Sequence, residues 1–133
     1  MNPQPIAVGL VLCQQVIVEE RTRNITLVNS FNRRTAHEFP SPPQQFAVYA
    51  MLTNGRGEAT LALSVSRLDS LEEIYRRAAH VTFADPLRQV RLWFRVKSCS
   101  FPEPGAYQVT FEADGELIIQ WVCNIVLRGN DNG

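Results

Sequence analysis

The sequence predicts an all-β fold, an antiparallel β-sandwich of about eight short strands, and three observations carry that prediction. Apolar and polar residues alternate at period two through much of the chain, the signature of strands with one dry face. Turn residues rich in Gly, Asn, Asp and Pro separate the alternating runs at regular spacing. No helical periods of useful length intervene, as a parallel sheet with crossover helices would need.

The clearest strand is Gln89–Lys97. Val90, Leu92, Phe94 and Val96 point one way, while Arg91, Trp93, Arg95 and Lys97 point the other. Glu58–Arg67 is nearly as regular, with Ala59, Leu61, Leu63 and Val65 on the dry side. Ile6–Val18, Asn24–Asn29, Phe46–Thr53, Tyr107–Ala113 and Glu116–Leu127 read as strands on the same ground. Residues 70–79 admit two readings. Ser70-Leu71-Glu72-Glu73 has the form of a capping box and Leu71, Ile74, Tyr75 and Ala78 have helical spacing, yet His80-Val81-Thr82-Phe83 alternates and favours a strand within Ile74–Phe83. Ser30–Gln45 is Pro-rich with mixed charge and reads as a long connection. One domain over residues 1–127 is expected, followed by a polar tail at 128–133.

Two turns suggest hairpins. Asn54-Gly55-Arg56-Gly57 would join Phe46–Thr53 to Glu58–Arg67 through a four-residue loop, pairing Leu52 with Ala59, Ala50 with Leu61 and Val48 with Leu63. Around Asp114-Gly115, burial selects a three-residue loop, Ala113-Asp114-Gly115, with Gly115 in the left-handed position. Phe111 then opposes Leu117, Val109 opposes Ile119, and Tyr107 opposes Trp121.

Thirteen basic residues balance thirteen acidic ones. That balance argues against a nucleic-acid binder, whose affinity rests on neutralising phosphates. No run approaches the ~20 apolar residues of a membrane span, and the start lacks the basic lead of a secretory signal, so the expected location is cytoplasmic. Cys13, Cys99 and Cys123 are an odd, widely spaced set, neither a disulfide framework nor a zinc site, and read as buried free thiols.

At Pro104-Gly105-Ala106-Tyr107, followed by Asp114-Gly115, the chain resembles the last hairpin of immunoglobulin-like sandwiches. Gly105 would set a turn that delivers Tyr107 inward, where its hydroxyl bonds upstream backbone as in a tyrosine corner. Over nearly its full length the chain also resembles a family of small bacterial proteins classed as a domain of unknown function. The matching features include Leu10-Val11-Leu12-Cys13, Gly55-Arg56-Gly57-Glu58, Phe83-Ala84-Asp85-Pro86-Leu87 and Asp114-Gly115-Glu116. The resemblance implies a stand-alone bacterial sandwich and supplies no activity.

No constellation of catalytic type stands out. His37 and His80 have no spacing that links them to a nucleophile, and no nucleophile elbow is present. Glu19-Glu20 and Glu72-Glu73 are adjacent, so on strands their carboxylates diverge. Asp85, before Pro86, reads as a turn residue. No cofactor, metal site or enzymatic activity is expected.

Two features hint at recognition. The last strand is apolar on both faces, with Leu117, Ile119, Trp121, Cys123 and Ile125 on one and Ile118, Val122 and Val126 on the other. Either it is covered or it forms an interface. Trp93 sits among Arg91 and Arg95 on a polar face, where tryptophan is uncommon. The leading expectation is a non-catalytic interaction module, self-associating or docked to a larger protein through Trp93, Ile118, Val122 and Val126. The alternative is a small-ligand module, for example for a saccharide, with Arg91, Trp93 and Arg95 as its platform.

Overall fold

The computed structural model describes residues 5–128. Ten strands form among them and no helix does: β1 (Ile6–Cys13), β2 (Gln15–Val18), β3 (Ile25–Val28), β4 (Arg33–Ala36), β5 (Gln44–Thr53), β6 (Gly57–Arg67), β7 (Glu73–Phe83), β8 (Val90–Cys99), β9 (Gly105–Ala113) and β10 (Glu116–Leu127). The expected polar tail, apart from Arg128, lies outside the described residues.

The strands form a three-stranded sheet, β1-β5-β8, a five-stranded sheet, β4-β10-β9-β6-β7, and a separate β2-β3 hairpin. The two larger sheets share one core. Leu12, Val48 and Phe94 come from the first, and Leu63, Val109 and Phe111 from the second. The Phe94 and Phe111 rings meet edge to face across it, 5.7 Å apart. The alternation in Gln89–Lys97 is realised: Phe94 and Val96 are buried, Val90 and Leu92 pack partly buried against the core, and Arg91 and Arg95 are exposed.

Two strands more than expected arise where local pattern was ambiguous. Ile6–Val18 is broken at Gln14, so β1 joins the three-stranded sheet while β2 folds back with β3 over its outer face. The Ser30–Gln45 connection contains β4, which pairs in parallel with Asn124–Leu127. Its sequence, Arg-Arg-Thr-Ala, is too short and too charged to show a strand period. The stretch of two readings is a strand, β7, and Ser70 accepts the Glu72 N–H in a tight turn rather than capping a helix.

Both hairpin registers need correction. β5 does not pair with β6. It lies between β1 and β8, whereas β6 lies between β7 and β9. Residues 54–56 carry the chain from one sheet to the other, so Leu52, Ala50 and Val48 share the core with Ala59, Leu61 and Leu63 as residues of opposite sheets. Period two reports which side chains are dry, and it says nothing of whether the neighbour lies beside the strand or across from it.

At the second hairpin the loop is the two-residue Asp114-Gly115, with φ of 50° and 84°, the mirror-image turn that Asp-Gly favours. Leu117 therefore opposes Glu112 on the outer face. A bulge between Leu117 and Ile119 then inserts one residue and restores the dry face, pairing Ile119 with Phe111, Trp121 with Val109, and Cys123 with Tyr107. Turn chemistry sets the first pairs and burial sets the rest.

Gly55 is required by close approach. A Cβ there would stand 2.6 Å from the ring of Phe83, which is buried. Gly55→Ala is expected to lower stability by about 1–3 kcal/mol through overpacking, measured by urea unfolding, although Gly→Ala elsewhere in a loop is commonly neutral or better.

Candidate interaction surface

A sheet edge exposes unpaired N–H and C=O groups, and proteins blunt such edges with charges, bulges or cover. The two larger sheets have four edges, gathered on two flanks. On one flank lie β7 and β8, rich in charge. Arg77 closes it, donating from Nη1 to the Arg95 carbonyl at 2.9 Å while its guanidinium sits 5.9 Å from the Phe94 ring. Arg76 pairs with Glu73 and Glu112, and His80 with Glu58 at 2.7 Å.

The other flank, β1 with β10, is built differently. Residues 31–32 bridge it at one end, where the Phe31 N–H donates to the Leu12 carbonyl and the Asn124 N–H to the Asn32 carbonyl. β4 extends β10 only over Asn124–Leu127, so among the described residues the stretch from Glu116 to Cys123 has no strand on that side. A shallow groove of about 370 Å³ runs there between Leu10, Leu12, Phe31 and Trp121. Ile6 and Val8 of β1 and Leu117, Trp121 and Val122 of β10 are all more than two-fifths exposed. Across Ile6–Leu12 and Glu116–Val122, Glu116 is the only charged residue.

The expected interface residues divide. Val122 is exposed, facing outward opposite Gln108. Val126 is half-buried beside Thr35 of β4. Ile118 does not share their face: the bulge turns it against the core, where it is partly buried. Leu117 and Trp121, read from alternation as core, are exposed instead. The available signal was that this strand is apolar on both faces.

Trp93 is not an open platform. It stacks on Tyr49, ring centroids 6.4 Å apart, within a second apolar cluster on the outer face of the three-stranded sheet. The β2-β3 hairpin covers this cluster through Val16, Ile25 and Leu27. This cover accounts for the apolar outward residues Val11 and Cys13 of β1. Arg91 donates to the Arg23 carbonyl in the turn of that hairpin, at 3.3 Å. Arg95 remains exposed beside it.

Tyr107 is placed as expected. It is buried, its Oη donates to the Glu103 carbonyl at 2.6 Å and accepts the Glu103 N–H at 3.3 Å, and its ring meets Phe101 edge to face at 4.8 Å. Gly105 and Gly115 both have positive φ, 145° and 84°. Of the thiols, burial first and then neighbouring Cys123 push Cys99 up to about 12, while burial pushes Cys123 up to about 11 against the pull of Arg34.

No helix in the described residues is long and apolar enough to cross a membrane. A family profile described as a family of unknown function (DUF6941) matches residues 9–126. No curated protein matches. Among solved structures, the CARDB domain of a Pyrococcus furiosus protein in complex with di-metal ions is similar at 9% identity, covering 92% of this chain and 96% of that one, with a TM-score of 0.44. That likeness is too loose to carry an argument.

Proposed function

The chain belongs to this family of unknown function, and we propose that it is a non-catalytic interaction module that pairs with a second copy of itself through the β1/β10 flank. The contrast between the two flanks carries this reading: one is charged and tied shut, the other apolar and nearly uncharged. A nearly uncharged edge can meet its own copy across a two-fold axis without like-charge repulsion, and edge-to-edge pairing would satisfy the backbone of Glu116–Cys123. We read the body that carries this edge as a single immunoglobulin-like β-sandwich. The Tyr107 tie to Glu103 supports that assignment. Three unpaired, buried thiols favour a reducing compartment such as the cytoplasm.

Native mass spectrometry and sedimentation at micromolar concentration are expected to show a dimer. Leu117→Lys with Val122→Lys should weaken it more than tenfold while the circular dichroism spectrum is kept, because both side chains are exposed. Ile118 is unsuitable for this purpose, since a charge there would strike the core. A parent protein that stays monomeric at 100-fold higher concentration would overturn self-pairing, as would a dimer indifferent to the double substitution.

A further inference from the structure

A second cleft lies away from that flank and shares none of its residues. It has a volume of about 540 Å³, within the range of small-molecule sites. It opens where the β2-β3 hairpin stops short of fully covering the three-stranded sheet. Ala47, a small residue on the outward side of β5, leaves room for it, with Val16 on one wall.

Its polar lining has one sign. Arg34 of β4 and Arg95 and Lys97 of β8 reach it from separate sheets, and no carboxylate lines it. Among the described residues none of the three is in an ion pair, although Arg67 and Arg76 elsewhere both are. Gln14, Gln15 and Gln45 supply the remaining polar surface.

Arg34 is the most constrained of the three. Its guanidinium lies 4.5 Å from the Phe31 ring centroid and 5.5 Å from that of Phe46, and donates from Nη1 to the Gln45 carbonyl at 2.9 Å. Its side chain is thus held in one orientation, half-buried, with donors to spare. Burial lowers its pKa, with nearby Cys123 pulling the other way, and no carboxylate lines the cleft beside it. Two more cations on the same cleft add mutual repulsion, which a bound anion would relieve.

We propose that this cleft binds a phosphate-bearing small molecule, with Arg34, Arg95 and Lys97 on the phosphate and Gln14, Gln15 and Gln45 on the polar remainder. Arginine's planar fork suits phosphate oxygens, and a preset fork loses little freedom on binding. Glutamine amides, each both donor and acceptor, suit hydroxyls such as those of a sugar.

Calorimetric titration at low salt with inorganic pyrophosphate and with glucose 6-phosphate tests it, with glucose as the uncharged control. One site per chain is expected for both anions and none for glucose. Arg95→Ala with Lys97→Ala removes two exposed side chains, keeps the fold, and should weaken both anions at least tenfold. Arg34→Lys keeps the charge and loses the fork, and should weaken them by a smaller factor. Absence of binding at millimolar anion, or binding unchanged in the double variant, overturns the site. Sedimentation with anionic phosphatidylglycerol vesicles, in the absence of binding to either free anion, would assign the cleft to a lipid surface and overturn the small-molecule assignment.

Discussion

Tyr107→Ala is expected to lower the unfolding free energy by about 3–5 kcal/mol, the range for deleting a large buried aromatic and leaving a cavity. The side chain is 1% exposed, stands opposite Cys123, and packs edge to face on Phe101. The loop ahead of β9 depends on it twice over. The hydroxyl holds both the N–H and the C=O of Glu103, and Phe101 is held in turn by paired bonds with Ser41. Tyr107→Phe separates the two contributions. It keeps the ring and removes the hydroxyl, at an expected cost of about 1 kcal/mol, rising to roughly 3 if the Glu103 groups find no water. Urea unfolding of the three proteins reads both values. A Phe variant as stable as the parent would reduce Tyr107 to a packed aromatic.

Alkaline pH should cost nearly as much. Folding raises Cys99 from 9.0 to about 12 and Cys123 from 9.0 to about 11, in each case chiefly by burial. The folded state therefore holds protons that the unfolded chain releases above pH 9. A group of this sign contributes its full stability below the unfolded pKa and loses it as pH rises toward the folded one. Each thiol removes at most about 1.4 kcal/mol per pH unit, less near either of its pKa values, so the pair removes about 4 kcal/mol between pH 9 and pH 11. Tyr107, raised by its own burial, acts in the same direction at higher pH. Unfolding free energies at pH 7, 9 and 11 should fall steeply across the last interval. In Cys99→Ala with Cys123→Ala the slope should flatten even though the starting stability is lower. An unchanged slope would show that the thiols are not its source.

Local pattern by itself determined which side chains of the regular central strands are dry and where the chain turns. Gln89–Lys97 sorted Phe94 and Val96 from Arg91 and Arg95, and Pro104-Gly105 placed Tyr107 against upstream backbone, because these outcomes depend on residues within a few positions of one another. Asp114-Gly115 marked its turn, but the loop length went astray, since a bulge two residues later could satisfy burial as well as a longer loop could.

Tertiary structure alone decided what each dry face meets. Leu52 and Ala59 share a core from opposite sheets, Trp93 is covered by a hairpin from the other end of the chain, and β4 is a strand only because Asn124–Leu127 lies beside it. The same holds for both surfaces. The open flank exists because β4 stops short along β10, and the basic cleft exists because Arg34, Arg95 and Lys97 arrive from two sheets. Hydrophobic burial is non-directional, so a periodic sequence fixes a face without naming its neighbour. The neighbour follows from long-range pairing, where contacts distant in the chain compete for the same dry surface.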